Sequence, residues 1–217
     1  MEFEEELARV LPGDLPHRER LIAKAAQHLH LIVAANEHMN LTRITNPQEA
    51  AIKHVYDSVA PWKHFCGARH VLDAGTGAGF PGLPLSIVLP ETCFTLTESV
   101  QKKARFVDSA IETLELSNVR VVAERAEAKA IAQRPEIIVA RAVAPFHRLL
   151  DVFAKPLKLG SRLMLYKGPE VEAELRDANS HRISAEIVLR YELPYGMGVR
   201  TLVQVQHAQP RLAKSAS

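Results

Sequence analysis

The sequence Asp-Ala-Gly-Thr-Gly-Ala-Gly-Phe-Pro-Gly at residues 73–82 decides the fold. The apolar pair Val71 and Leu72 precedes it and is typical of the end of a buried strand. The largely apolar run 85–89 follows it and is typical of a helix. Glycines allow the backbone to approach a ligand closely, and the start of a helix presents unpaired N–H groups. This order of strand, turn and helix predicts a nucleotide-type binding site.

Two classes of protein use such a turn. A dinucleotide-binding fold uses G-x-G-x-x-G, which Gly77, Gly79 and Gly82 satisfy. A methyltransferase dependent on S-adenosylmethionine (SAM) uses an acidic residue two positions before G-x-G-x-G. That pattern is met by Asp73, Gly75, Gly77 and Gly79. We favour the methyltransferase, because a carboxylate at the end of a strand repels a pyrophosphate and suits the cationic methionine end of SAM.

The bulk properties of the chain set limits on its class. Its 217 residues suit one large domain, or one domain with an appendage. The net charge of +2 permits a nucleic-acid partner without requiring one, and two cysteines provide no disulfide framework. No stretch approaches the ~18 apolar residues of a membrane span. Residues 1–6 are acidic, unlike a signal peptide. We therefore expect a soluble, cytoplasmic protein with no membrane contact.

The first part of the chain, residues 1–65, lacks strand-like runs and is predicted to be a helical extension packed on the core. Apolar residues at helical spacing predict a helix over 18–38. Asn46, followed by Pro47 and Glu49, predicts the start of a further helix that runs to about residue 59. We expect a methyltransferase domain over 66–207 and a disordered tail over 208–217.

From His70 onward the pattern alternates between strands and helices. Strands are predicted at His70–Asp73, Cys93–Thr97, Val119–Ala123, Ile137–Ala140 and Arg162–Tyr166, and helices at 83–89, 100–115, 147–155 and 169–180. The last two β-rich runs, Ile183–Glu192 and Val199–Val205, are too close for a parallel crossover and must form an antiparallel hairpin. We therefore predict an α/β fold with a doubly wound, mostly parallel sheet that ends in an antiparallel hairpin. This is the Rossmann-like methyltransferase arrangement, whereas a plain dinucleotide fold would continue with another helix and parallel strand.

Three predicted strand ends carry candidate binding residues. Glu98 follows the second strand and can accept hydrogen bonds from both ribose hydroxyls, in SAM or in NAD alike. Ala126 and Glu127 follow the third strand, where an adenine would rest against the edge of the sheet. Arg141 ends the fourth strand and can contact a phosphate, a base edge or the carboxylate of SAM.

The fourth strand also restricts the methyl acceptor. Its end reads Ala140-Arg141-Ala142, without the Asp or Asn and prolines that hold an exocyclic amine. Ribose 2′-O enzymes typically have an aspartate where Arg141 stands. Neither Cys66 nor Cys93 follows a later strand, as a nucleophile for pyrimidine C5 would. The remaining acceptor is one that is already nucleophilic, such as a purine ring nitrogen. We expect transfer by positioning, with no certain catalytic side chain.

A polar patch precedes the domain. His54, Asp57 and Ser58 share one helical face and resemble a hydrolase triad in composition only, since neighbours on one helix cannot align such a triad. We interpret them as a patch that faces substrate or cofactor. Further basic residues are candidates for a rim that binds a phosphate backbone, namely Arg43, Lys53, Lys102, Lys103 and Lys167. We expect no metal site, because no ligand pairs stand at zinc-finger spacing.

Several motifs occur in a recognisable order. They are Asn40-Leu41-Thr42, His54-x-x-Asp57-Ser58, the 73–82 turn, Glu98-Ser99-x-x-Lys102-Lys103, Arg125-Ala126-Glu127, Arg141-Ala142 and Lys167-Gly168. In this the chain resembles, over roughly residues 36–205, the bacterial RsmG (GidB) family of small-subunit ribosomal RNA guanine-N7 methyltransferases. Gly-Phe-Pro-Gly is the most specific element, because general methyltransferases lack that ending.

The resemblance implies a cofactor, a site and a partner. The SAM pocket would be lined by Gly75, Phe80, Ala126, Glu127 and Arg141. The partner would be 16S ribosomal RNA within a small-subunit particle, and we expect a monomer.

Three other functions remain open from the sequence. The first is a SAM-dependent methyltransferase for another RNA, a small molecule or a protein. The second is a non-catalytic RNA-binding module on a methyltransferase fold, against which the intact turn and Glu98 argue. The third is an NAD-dependent oxidoreductase, which Asp73 and the terminal hairpin disfavour.

Overall fold

The architecture was taken from a computed structural model, in which residues 2–176 and 183–208 are described. The strands are β1 (His70–Ala74), β2 (Cys93–Thr97), β3 (Val119–Val122), β4 (Ile137–Arg141), β5 (Arg162–Lys167), β6 (Ile183–Glu192) and β7 (Val199–His207). The helices are α1 (Glu2–Val10), α2 (Arg18–Met39), α3 (Pro47–Ala50), α4 (Asp57–Val59), α5 (Gly82–Val88), α6 (Gln101–Thr113), α7 (Ala126–Gln133), α8 (Phe146–Lys158) and α9 (Val171–Arg176). A π-helix, Ala51–Tyr56, joins α3 to α4, and two short 3₁₀ turns lie at Trp62–Phe65 and Pro194–Gly196.

The strands form one seven-stranded sheet in the order β3-β2-β1-β4-β5-β7-β6. The pairs among β1 to β5 are parallel, whereas β7 is antiparallel to both β5 and β6. The predicted doubly wound sheet with a terminal antiparallel hairpin is confirmed. The strand order reverses between β1 and β4, and a crevice opens outside the carboxyl ends of the strands at such a reversal.

Two helices were absent from the sequence-based assignment. In α1 the buried residues Phe3, Leu7 and Val10 follow helical spacing within a strongly acidic segment. Helix α7 lies in a segment for which no helix was predicted, and it connects β3 to β4, two parallel strands that are not neighbours in the sheet. The predicted helix 169–180 begins at Val171, and its last residues lie outside the described part of the chain. The predicted disordered tail, 208–217, also lies outside it except for residue 208.

The N-terminal helices share the main hydrophobic core with β1, β2 and α5. Leu21, Leu29 and Ile32 of α2 are almost fully buried, and the helix packs on α5 and α6. The Lys24 ammonium also donates to the backbone carbonyl of Leu114, at the end of α6. The division of the chain at residue 65 stays a prediction, and these contacts favour an extension that unfolds together with the domain.

We expect Ile32→Ala to lower the free energy of unfolding by about 3 kcal/mol, because it leaves a cavity in the shared core. Urea denaturation followed by circular dichroism measures this change. Val33→Ala on the same helix is the control, since Val33 is 39% exposed and should change stability little. A separate early transition for the N-terminal helices would contradict a shared core.

Candidate functional site

The glycine-rich turn is closed by the Asp73 carboxylate at the end of β1. Its Oδ2 accepts hydrogen bonds from the Thr76 hydroxyl at 2.7 Å and from the Gly82 amide at 2.9 Å. A Cβ at Gly82 would lie 2.7 Å from that same oxygen, so only glycine allows the approach. Burial raises the pKa of Asp73 to about 6, against the opposing effect of these two hydrogen bonds.

Asp73 therefore has hydrogen-bond partners within the turn itself, which the sequence did not reveal. The residue has no exposed surface, and its Oδ1 atom is buried without a partner among the described residues. We expected the carboxylate to face the methionine end of SAM. The observed contacts assign it to holding the turn, and direct contact with a ligand stays a prediction.

The other glycines of the turn allow close approach of the backbone. Gly75, Gly77 and Gly79 have φ values of 70°, 60° and 104°, in the left-handed region that favours glycine. A Cβ at Gly75 would meet Val143 at 3.1 Å, whereas a Cβ at Gly77 would meet nothing within 4 Å. The turn thus has open space over Gly77, which fits a bound nucleotide-type group.

Glu98 connects the end of β2 to this turn. Its carboxylate accepts hydrogen bonds from the Gly77 amide at 3.2 Å and from the Val100 amide at 2.8 Å. Each carboxylate oxygen retains a second lone pair, so the expected ribose contact stays a prediction. Ala126 and Glu127 lie in the first turn of α7, half-buried and exposed respectively, beyond the end of β3.

A cavity of about 460 Å³ opens at the carboxyl ends of β4 and β5. It brings together five of the predicted site residues, namely Lys53, His54, Asp57, Arg141 and Lys167. Val143, which would touch a Cβ at Gly75, also lines it, so the cavity adjoins the glycine turn. Tyr166 and Arg200 complete its wall, and sequence reasoning missed both.

The Asp57 carboxylate is the buried centre of this cavity wall, with a side chain that is 4% exposed. The Arg141 Nη1 atom donates to its Oδ2 at 3.1 Å and to the Lys53 carbonyl at 2.9 Å. The Tyr191 hydroxyl donates to Oδ1 at 2.8 Å, and the Arg200 Nε lies 3.6 Å from that atom. Burial, and then the negative charge of Asp57, raise the pKa of Tyr191, which keeps it a donor.

Aromatic rings pack between the cavity and α2. The His54 ring stacks on Phe80 with centroids 4.7 Å apart, and His28 lies 4.9 Å from the same ring. The Arg141 guanidinium carbon lies 5.6 Å from the Phe80 centroid, within cation–π range. Burial lowers the pKa of His28 to about 4, and burial together with Arg141 lowers that of His54 to about 3. Both imidazoles are therefore neutral near pH 7.

Some predicted residues do not reach the cavity. Ser58 is fully buried, its hydroxyl donates to the His54 carbonyl, and its own carbonyl accepts from Tyr166. The expectation that Ser58 faces a substrate is corrected, because the adjacent position on a helix turns its side chain into the core. The rejection of a hydrolase triad agrees with these contacts.

The residues of the predicted basic rim do not all line the cavity. Lys102 donates to the His38 carbonyl at 2.7 Å, away from the cavity, and Lys103 is half-buried on the same helix. Arg43 is exposed beside Ile44, which lines the cavity. Only Lys53 and Lys167 of this predicted set line the cavity itself.

Two features are absent from the described part of the chain, residues 2–176 and 183–208. None of the helices there is long and apolar enough to cross a membrane. No group of three or more histidine, cysteine, aspartate or glutamate side chains within that range could hold a metal ion.

Two solved structures, at 16% sequence identity or less, show the same fold. The chain matches the METTL16 methyltransferase domain with a TM-score of 0.55 and 15% identity, over 87% of this chain and 81% of that chain. It matches a MtNAS variant solved in complex with S-adenosylmethionine with a TM-score of 0.56 and 16% identity, over 88% and 73% of the two chains. The sheet order and the glycine turn define a Rossmann-like methyltransferase fold.

The family follows from sequence comparison. A family model described as rRNA small subunit methyltransferase G (GidB) matches residues 21–196, and the chain belongs to this family. A relative from Solibacter usitatus, named Ribosomal RNA small subunit methyltransferase G, is 56% identical over 95% of this chain and 100% of its own length. A relative of the same name from Carboxydothermus hydrogenoformans is 36% identical over 84% of this chain and 82% of its own. The predicted family is confirmed.

The buried His28 predicts a loss of stability in mild acid. Its folded pKa of about 4 lies below the ordinary histidine pKa of 6.5, so the unfolded state binds the extra proton between these values. Stability is therefore lost as the pH falls below 6.5, by about 2 kcal/mol at pH 5 from this residue alone. We expect the stability difference between wild type and His28→Gln to shrink by that amount from pH 7 to pH 5.

Urea unfolding at the two pH values measures this change. His38→Gln is the matched control, since His38 lies exposed on the same helix and its substitution should leave the difference constant. A constant difference for His28→Gln as well would contradict a buried, neutral His28.

Proposed function

We propose that this chain transfers a methyl group from SAM to N7 of one guanine in 16S ribosomal RNA. One observation supports this above all: the cavity at the ends of β4 and β5 carries Lys53, Arg141, Lys167 and Arg200, and it adjoins the glycine turn where Gly75 faces Val143. Membership of the rRNA small subunit methyltransferase G family supports the same substrate. We further propose a folded substrate within the small-subunit particle, a monomeric enzyme and a cytoplasmic location.

The residues of the turn would hold the cofactor. Gly75, Gly77 and Gly79 would let the backbone approach it, and Phe80 and Arg141 would bound the pocket on the side of the cavity. Glu98 would accept the ribose hydroxyls, while Ala126 and Glu127 would border the adenine. When bound, SAM supplies a methyl group carried on a cationic sulfur. Asp73 acts indirectly, because its hydrogen bonds fix the shape of the turn.

The chemistry of N7 requires no base. Its lone pair is free at neutral pH, so no side chain must remove a proton before the transfer. The polar groups of the cavity are consistent with this, since Asp57 is held by Arg141 and Tyr191. His54 Nε2 is 3.0 Å from the Thr42 hydroxyl, and its pKa is lowered to about 3. We propose that these residues orient the base and exclude water, which lowers the barrier by positioning.

The proposed function predicts a single labelled product. Incubation with tritiated SAM should label one N7-methylguanine in 16S ribosomal RNA, more in small-subunit particles than in free RNA. Gly75→Val should abolish both SAM binding and labelling, because a side chain there is strained at a φ of 70° and meets Val143 at 3.1 Å. Calorimetry measures the binding, and nuclease digestion with mass spectrometry maps the label.

A matched control, Gly160→Val, separates the effect of backbone strain from the loss of the SAM-binding site. Gly160 also has a positive φ, of 100°, but a Cβ there meets nothing within 4 Å. Gly160→Val should therefore retain SAM affinity even where it lowers the melting temperature. Equal labelling of random-sequence RNA would contradict the substrate, and binding of NAD, or unchanged SAM affinity of Gly75→Val, would contradict the cofactor site.

The mechanism predicts a rate that is independent of pH near neutrality. Under single-turnover conditions the rate should be nearly flat between about pH 6 and pH 8, the range in which an ordinary histidine base titrates. The pKa of His54, about 3, lies well below this range. His54→Ala should change the rate by the same factor at every pH, through loss of its stacking on Phe80. A bell-shaped profile that His54→Ala removes would establish a general base and overturn the mechanism.

A further inference from the structure

The four cations of the cavity differ in how well they are paired. Lys53 donates to Glu49 at 2.6 Å, Lys167 donates to Glu174 at 3.2 Å, and Arg141 donates to Asp57 at 3.1 Å. Arg200 approaches Asp57 only at 3.6 Å, which is too long for a hydrogen bond. Within the described residues, its guanidinium hydrogen bond goes to the carbonyl of its neighbour Val199, at 3.3 Å. Among the residues that the structure describes, Arg200 is thus the cavity cation without a hydrogen-bonded carboxylate.

The balance of charges around Asp57 also indicates that Arg200 is incompletely paired. Two guanidinium groups, Arg141 and Arg200, share this one buried carboxylate, and the neutral Tyr191 hydroxyl takes part of its accepting capacity. One positive charge is therefore left uncompensated in the wall of the cavity. The Arg200 side chain is 28% exposed, against 15% for Arg141, so its donors are the more accessible of the two. A planar guanidinium with accessible donors suits a phosphate, which it can bind through two parallel hydrogen bonds.

The register of the hairpin explains why Arg200 lies here. Arg200 pairs directly with Tyr191 across β7 and β6, so the two side chains share one face of the sheet. Both of them reach Asp57 on the neighbouring helical segment. Arg190, the next residue along β6, points to the opposite face and pairs with Glu172. The hairpin therefore presents one arginine to the cavity and another to the opposite face.

We propose that Arg200 binds a backbone phosphate of the RNA substrate at the cavity, with Asp57 holding its guanidinium in place. This inference rests on the proposed function, since it assumes that the cavity receives an RNA nucleotide. It assigns the C-terminal hairpin to substrate binding, next to the cofactor site but separate from it.

The arginine pair on the hairpin provides a matched test. Arg200→Ala should raise the Kd for 16S ribosomal RNA and the KM for the small-subunit particle about tenfold, as expected for one charge-assisted contact. The slope of log Kd against log salt concentration should decrease by about one, as for loss of a phosphate contact. The SAM Kd and kcat should stay unchanged. Arg190→Ala removes the same charge from the same hairpin and should change the RNA Kd less than twofold.

A second variant keeps the test decisive if Arg200→Ala destabilises the fold. Arg200→Lys retains the charge but loses the planar fork, so its RNA Kd should lie between those of wild type and Arg200→Ala. Melting temperatures define the range in which all variants are folded, and the RNA Kd is compared within it. A weakened SAM affinity, an unchanged RNA Kd or an equal effect of Arg190→Ala would overturn the inference.

The two proposals fail in different ways. Wild-type protein that does not methylate ribosomal RNA would overturn the proposed function. Wild-type protein that methylates it, combined with Arg200→Ala of normal RNA affinity and salt slope, would overturn only the assignment of Arg200.

Discussion

The cavity depends on the hydrogen bonds and ion pairs that surround the buried Asp57 carboxylate. A carboxylate buried this deeply is tolerated only with charged or hydrogen-bonding partners, and its partners come from distant parts of the chain. Arg141 ends β4, and Tyr191 and Arg200 stand on the terminal hairpin. Asp57 thus joins the helical segment before the sheet to both the parallel strands and the hairpin. Removal of one partner would leave a buried charge only partly compensated, which costs several kcal/mol in comparable sites.

Around neutral pH the cavity, unlike the Asp73 carboxyl with its pKa of about 6, has only neutral histidines beside it. Its cations are arginines and lysines, whereas the histidines nearest to them are held neutral by burial. The Phe80 ring contacts both imidazoles and lies within cation–π range of the Arg141 guanidinium, and Phe80 itself belongs to the glycine turn. The glycine turn and the cavity therefore share one packed aromatic boundary. A reaction that depends on position and constant charge, and not on proton transfer, suits such a site.

Most of the fold could be predicted because its signals are local. The alternation of apolar strands and helices from His70 onward placed each of the five parallel strands within one residue of its observed end. The short connection between β6 and β7 required an antiparallel hairpin. Helices α1 and α7 were missed for opposite reasons: an acidic segment concealed the apolar spacing of α1, and polar residues at the start of α7 are typical of a loop.

The sequence by itself determined the glycine turn, the acidic strand ends and the family, because each depends on residues that are close together in the sequence. It also indicated His54, Asp57 and Arg141, since a helical face and a strand end are properties of spacing. Only the tertiary structure placed Tyr166 and Arg200 in the cavity and turned Ser58 into the core. These positions depend on strand register and helix rotation, and both are set by contacts between residues more than 100 positions apart, such as Tyr166 with Ser58 and Tyr191 with Asp57. Such contacts cannot be deduced from the spacing of residues along the chain.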